Sequence, residues 1–192
     1  MKNIRARSTL VVVALAILGV TSCEKPGVRA ARENEPDLTS RQIEAIDDDT
    51  FLVKAQKAEI TQTTLSQLAM EQSQSPDVRA YAHQVITNYR QALVDLTGLM
   101  KAKNIARTFA DEEIQLEARN RLQGLSGSAF DREYVSLMTA EQQAAVAMFR
   151  SVAETASDPS VRNYAQTVLP SLRKDFDTAA ALEKKLASQD QK

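Results

Sequence analysis

Few residues of this chain have side chains suited to catalysis or metal binding. Its 192 residues include one cysteine, Cys23, and one histidine, His83, which excludes both an internal disulfide and a site of several histidines. Helical bundles that hold two metal ions use Glu-x-x-His pairs, but Ala80 stands three residues before His83. The sequence also has no Gly-rich phosphate loop and no Gly-x-Ser-x-Gly nucleophile turn. We therefore predict that the protein is not an enzyme and needs no cofactor.

Three acidic residues, Glu59, Glu141 and Asp175, fall on or beside the apolar faces of predicted helices. An acid inside a bundle is costly unless it has a partner. One hypothesis is a cation site made of these carboxylates, with His83 as a further ligand. The interpretation that we favour makes them boundary residues in salt bridges, and makes His83 a partly exposed helix residue. Four arginines are available as partners for the acids: Arg79, Arg90, Arg162 and Arg173.

The helices that must position these residues come in two similar copies. Residues 76–86 (PDVRAYAHQVI) and 159–169 (PSVRNYAQTVL) share Pro, Val, Arg, Tyr, Ala and Val at an offset of 83 positions. Apolar residues recur at three- and four-residue steps through both segments, as in amphipathic helices, and Ser75 and Asp158 stand where N-caps belong. The predicted fold class is therefore all-α, a four-helix bundle (ferritin-like) made of two duplicated helical hairpins.

The segment between the two hairpins, residues 103–130, is too long for a tight turn between antiparallel helices. It contains a short predicted helix that opens with acids near residue 111, where the helix dipole favours them, and that ends at Gly124 and Gly127. We therefore expect a long crossover connection of the ferritin-like kind, containing this short helix.

The first 22 residues are typical of a secretory signal peptide. Three basic residues precede an apolar run from 10 to 20, which is too short to span a membrane convincingly. The residues Val20-Thr21-Ser22-Cys23 resemble the lipobox of bacterial lipoproteins, which implies cleavage before Cys23 and acylation of its thiol and new amino terminus. Ordinary secretion with an incidental cysteine is the alternative.

The predicted domains are a signal peptide (1–22), a flexible tether that begins at lipidated Cys23 (23–38), a helical bundle (39–187) and a disordered C-terminus (188–192). Removing residues 1–22 leaves 21 basic and 25 acidic side chains, so no basic face suited to nucleic acid is expected. The predicted partner is the membrane, through the lipid on Cys23. Glu24, rather than Asp, follows this cysteine, which favours the periplasmic side of the outer membrane.

Three motifs in order, Ser75 to Tyr81, Phe130-Asp131-x-x-Tyr134 and Leu169-Pro170-x-Leu172, resemble a family of ferritin-like bacterial envelope proteins of unknown function, often labelled outer membrane protein. The resemblance covers roughly residues 50–186 and implies a four-helix bundle. Members commonly carry histidines, and one aspartate, at positions where this chain has other residues, while Glu59 keeps the expected type. If those histidines bind metal in relatives, the resemblance implies that this chain has lost most of that ability. The replaced positions are Asn88, Tyr89, Gln142 and Asp175.

Three functional hypotheses follow. The first, which we favour, is a lipid-anchored envelope protein that acts through its surface as a non-catalytic interaction or stress-protective module, with an unknown envelope partner. The second is a metal-binding ferritin-like protein that uses bundle-core carboxylates. The third is a small-molecule binder, which requires a pocket of at least about 300 Å³ within the bundle.

Overall fold

A computed structural model describes residues 46–106 and 112–189, and these residues form five helices without any β-strand. The predicted all-α fold is confirmed. The predicted signal peptide and tether, with Cys23, lie outside the described residues. None of the described helices is long and apolar enough to cross a membrane. The helices are α1 (Asp48–Gln72), α2 (Pro76–Ala102), α3 (Glu112–Gln123), α4 (Gly127–Thr155) and α5 (Pro159–Gln189).

The matching helices α2 and α5 begin in the same way. Each has proline at its first position, which lacks the N–H that a helix start leaves unpaired. The hydroxyl of Ser75 accepts a hydrogen bond from the backbone N–H of Val78 at 3.4 Å. The carboxylate of Asp158 accepts one from the backbone N–H of Ser160 at 2.7 Å. Both N-caps were predicted from the sequence, and both are confirmed.

Each hairpin closes through a turn of three residues, 73–75 between α1 and α2 and 156–158 between α4 and α5. The two hairpins pack so that α1 and α4 are antiparallel. Phe51, near the start of α1, contacts Phe149, near the end of α4. At the other end of the bundle, Ser73 donates a hydrogen bond of 2.5 Å to Asp131. These two contacts fix the relative direction of the hairpins.

Helices α2 and α5 are likewise antiparallel, because Asp77 at the start of α2 pairs with Lys185 near the end of α5. It follows that α2 and α4 run in the same direction, diagonally across the core. The connection 103–126 must therefore travel the length of the bundle, which confirms the predicted long crossover. Helix α3 lies within this connection and packs against α1 and α4.

The last helix departs from the predicted domain boundary. Disorder was predicted from residue 188, but α5 continues to Gln189, so the prediction is wrong for residues 188 and 189. Leu186 is buried and anchors the final turn to the bundle. Ser188 also donates a hydrogen bond of 2.7 Å to the carbonyl oxygen of Lys185. Residues 190–192 lie outside the described residues.

Candidate functional site

The most unusual feature of the bundle core is a row of polar side chains on α1. They recur every three or four residues and therefore share one helical face. Each is at most 1% exposed, although buried polar groups need hydrogen-bond partners. The polar residues of this row are Gln56, Glu59, Gln62 and Ser66.

The partners of this row are mainly tyrosines from the other three long helices. Tyr89 of α2 donates to Gln62 Oε1 at 2.8 Å and lies 3.3 Å from Gln142 Oε1 of α4. The hydroxyl groups of Tyr134 and Ser66 are 2.9 Å apart. All four tyrosines of the chain are buried, with exposures of 0–6%: Tyr81, Tyr89, Tyr134 and Tyr164.

Glu59 is the acidic member of the row, and it has a single described donor. Its Oε1 accepts a short hydrogen bond from the hydroxyl of Tyr164 on α5. Its Oε2 has no hydrogen-bond partner in the part of the chain that the structure describes. Burial raises the pKa of Glu59 to about 8; the Tyr164 hydrogen bond opposes this shift, and the negative charge of Asp95 adds to it. Burial of the Glu59 carboxyl group therefore favours its protonated form.

Asp175 on α5 is fully buried as well, but its carboxylate is better supplied with donors. Gln84 donates to its Oδ1 at 2.6 Å, and Asn88 donates to Oδ1 and Oδ2 at 2.8 and 3.0 Å. Burial raises the pKa of Asp175, whereas the hydrogen bonds from Asn88 and Gln84 and the charge of Lys174 lower it. Carboxamides from α2 thus replace much of the water that this carboxylate has lost.

The candidate residues from the sequence occupy three environments. Glu59 and Asp175 lie in the core, Glu141 is half-buried with its pKa raised by burial, and His83 is exposed on α2. The interpretation of His83 as a helix surface residue is confirmed. The interpretation of Glu59 and Asp175 as boundary residues paired with arginines is wrong, because a tyrosine and two carboxamides are their hydrogen-bond partners.

The structure does not bring the three predicted acids together as ligands. Within residues 46–106 and 112–189, no group of three His, Cys, Asp or Glu side chains is placed to hold a metal ion. The positions marked by the family resemblance do meet in the core, however. Asn88 bonds Asp175, Tyr89 contacts Gln142, and Glu59 contributes after burial to the raised pKa of Tyr89. Those positions thus form a group of neighbouring polar contacts in the core, linked by electrostatic influence on Tyr89.

Sequence reasoning missed Gln56, Gln62 and Ser66 of this network. Their spacing of three or four residues from Glu59 was the available signal, but polar residues at such spacing more often form a solvated face. Two buried amide nitrogens, Gln62 Nε2 and Gln142 Nε2, have no hydrogen-bond partner in the described chain. Each such group lowers the free energy of unfolding by about 1–3 kcal/mol. These polar contacts therefore reduce the stability of the core.

Two cavities of the described structure open to the surface. One, of about 340 Å³, lies between α2 and α5, with Tyr81 and Gln84 among its lining residues and the Asp77–Lys185 ion pair at its side. The other, of about 490 Å³, lies at the opposite end of the bundle near Lys103. The small-molecule hypothesis required a pocket within the bundle, and both of these are open grooves.

Three solved helical structures resemble this chain. A DUF305 fragment from Deinococcus radiodurans is 16% identical, with a TM-score of 0.64, and covers 72% of this chain and 95% of its own. A DUF305 protein from Streptomyces coelicolor, described as secreted, is 14% identical, with a TM-score of 0.63 and coverages of 73% and 93%. CopM, solved in its Cu(II)-bound form, is 13% identical, with a TM-score of 0.60 and coverages of 73% and 97%. At these identities the likeness shows a shared fold alone.

Comparison with protein families gives a more specific result. None of the curated proteins matches the chain. The model of a family described as a domain of unknown function, DUF4142, matches residues 32–182. This range contains all four bundle helices except the last turns of α5. The chain therefore belongs to the DUF4142 family.

Proposed function

We propose that this protein is a lipid-anchored protein of the bacterial envelope whose helical bundle acts as a non-catalytic interaction module. The observation that carries the proposal is the closure of its polar network. Glu59, Tyr89 and Gln142 are at most 3% exposed, whereas a catalytic group must come within hydrogen-bond reach of its substrate. Other molecules would therefore contact the outer surface of the bundle.

The anchor is supported by the order of segments along the chain. A segment typical of a signal peptide ends at Cys23, the single cysteine of the sequence. The DUF4142 match begins at residue 32, so the lipidated cysteine precedes the family domain and leaves the bundle free to face its partner. The Streptomyces coelicolor relative, described as secreted, supports a location outside the cytoplasm. Several acyl chains give stable membrane attachment, which a single chain does not.

The anchor is tested by Cys23→Ser in the full chain, expressed in a bacterial host fed a clickable palmitate analogue. The wild-type protein should carry the label and fractionate with the outer membrane. The variant should lose the label and remain as a precursor or appear in the soluble fraction, because serine offers no thiol for the acyl transfer. Ser22→Ala is the matched control, since alanine is also small and should leave lipidation intact. Membrane fractionation of Cys23→Ser at the mature size would contradict the anchor.

The interaction module is tested by photo-crosslinking of the lipidated wild-type protein in intact cells. A specific envelope protein should be captured, and a turnover screen of the purified protein should show no activity. Absence of any captured partner together with measurable turnover would contradict the proposal. Elemental analysis of the same preparation addresses the metal-binding alternative, for which a bound ion near stoichiometry is the expected sign.

A further inference from the structure

Glu59 is a buried acid whose described surroundings contain no positive charge that contributes to its pKa. Its side chain accepts a hydrogen bond from Tyr164 through Oε1, while Oε2 makes none within the described residues. A carboxylate in such a place has lost its hydration with only one donor in return, which strongly favours the neutral acid. Because Tyr164 occupies Oε1, the free oxygen Oε2 is the atom on which a proton can reside.

The groups that face Glu59 from α2 and α5 reinforce this preference. Tyr164 of α5 donates a neutral hydrogen bond, and Asp95 of α2 adds negative charge. Tyr89 of α2 is close enough for the charge of Glu59 to raise its pKa, after the effect of burial. Asp175 of α5 is also a buried acid. None of these groups offers a positive charge.

Helices α4 and α3 also pack against α1. Toward the core α4 presents Gln142, which is uncharged, and Tyr134, which is bonded to Ser66. Glu141 and Arg150 are half-buried on α4, and neither contributes to the pKa of Glu59. On α3 the described charged side chains are exposed, namely Glu117, Arg119 and Arg121.

We propose that Glu59 is a proton-binding site, that the folded bundle holds one proton on this carboxyl group, and that loss of the proton admits water to the core and loosens the packing of the four long helices. The geometry that carries the proposal is a buried carboxyl group with one hydrogen-bond donor, Tyr164, and a second oxygen that has no partner among the described residues. The raised pKa of Glu59, about 8, agrees with it. The bundle is then tightest in mildly acidic surroundings and loosens as they become alkaline.

The sign and size of the effect follow from linkage. The folded bundle binds this proton more tightly than the unfolded chain, where the pKa is near 4.5. The stabilisation is therefore complete below pH 4.5 and is lost as the pH rises toward 8. One proton changes the equilibrium constant for unfolding by at most about tenfold per pH unit, or about a hundredfold between pH 5.5 and 7.5.

The test is denaturant unfolding of the wild-type protein, Glu59→Gln and Glu71→Gln between pH 5.5 and 8.5. Glutamine keeps the shape of the protonated acid and an oxygen for Tyr164, so Glu59→Gln should lose most of this hundredfold change. Glu71 is an exposed acid on the same helix, and its replacement should leave the wild-type pH dependence unchanged. Equal pH slopes for wild type and Glu59→Gln would overturn the proposal.

A second measurement stands even if Glu59→Gln fails to fold. In wild-type protein labelled with ¹³C at glutamate carboxyl carbons, one resonance should titrate well above the rest. Amide hydrogen exchange around Glu59 and Tyr164 should accelerate across the same pH range beyond its intrinsic base catalysis. If every glutamate titrates in its ordinary range, or if exchange follows intrinsic rates alone, the proposal is wrong.

Discussion

The two halves of the core place matching tyrosines in different surroundings. Tyr81 and Tyr164 stand at matching positions of the two hairpins, 83 residues apart, and both are buried. Tyr164 donates to Glu59, whereas the residue that matches Glu59 in the second hairpin is the amide Gln142. Gln142 lies close enough to Tyr81 to lower its pKa, although burial dominates and raises it. The repeat thus keeps the tyrosine and changes the charge beside it.

A second acid of the core, Asp175, also breaks the symmetry. Asp175 matches Ala92, whose carbonyl oxygen lies 3.5 Å from the Tyr164 hydroxyl. Glu59 on α1 and Asp175 on α5 are at most 1% exposed, one in each half, while Asp131 of α4 lies at the end of the bundle and accepts a hydrogen bond from Ser73. Two carboxamides stabilise Asp175, while Glu59 has a single tyrosine. The two buried acids are thus stabilised differently: hydrogen-bond donors stabilise Asp175, and the proposed proton stabilises Glu59.

The largest loss of stability should come from Gln142→Glu, which gives both halves of the core a glutamate at this matching position. A second acid beside Tyr89 has no described cation to pair with, so the free energy of unfolding should fall by about 3 kcal/mol at pH 8. The loss should shrink at pH 5, where the new acid is protonated. Chemical denaturation at both pH values measures the difference.

The matched control for this change is Gln143→Glu, at the next position on α4, which is exposed. This variant should change the unfolding free energy by less than about 0.5 kcal/mol at either pH. The double variant Glu59→Gln with Gln142→Glu should regain most of the lost stability, because positions 59 and 142 then again contain only one acid. A pH-independent loss for Gln142→Glu would indicate a packing defect rather than charge.

Much of this fold could be predicted from the sequence, because the two copies of the repeat can be compared with each other. The 83-residue offset revealed both hairpins, and the same offset relates the confirmed caps Ser75 and Asp158. The length of 103–130 then predicted the crossover, since a tight turn needs far fewer residues. These features depend on local pattern, and local pattern is what a sequence displays directly.

The candidate site was less predictable, because its contacts join distant parts of the chain. Asn88 and Asp175 are 87 residues apart, and Glu59 and Tyr164 are 105 residues apart. On α1 the polar and apolar residues do not separate into two faces, so periodicity could not show that Glu59 turns inward. Salt bridges to arginine were predicted because charge pairing is the familiar way to bury an acid. The structure uses neutral donors, which sequence composition does not single out.

A smaller effect should separate the two matching tyrosines. Tyr164→Phe removes the donor to Glu59 and should lower the free energy of unfolding by about 1–2 kcal/mol. Tyr81→Phe should cost less than about 0.5 kcal/mol, because Gln142 lies near the Tyr81 hydroxyl without meeting hydrogen-bond geometry within the described structure. Both changes remove one oxygen atom from a buried ring, so each is the control for the other. Equal losses in thermal and chemical denaturation would show that the halves are energetically equivalent.

The smallest effect should come from exchanging His83 for its counterpart in the second hairpin. Gln166 stands 83 residues after His83, and both residues are exposed on their helices. His83→Gln should therefore shift the free energy of unfolding by less than about 0.5 kcal/mol. It should also leave the pH dependence between 5.5 and 7.5 intact, even though histidine is the residue that ordinarily titrates in that range. If His83→Gln instead removed that pH dependence, Glu59 would not be its source, and the difference between the two halves of the core would have no part in it.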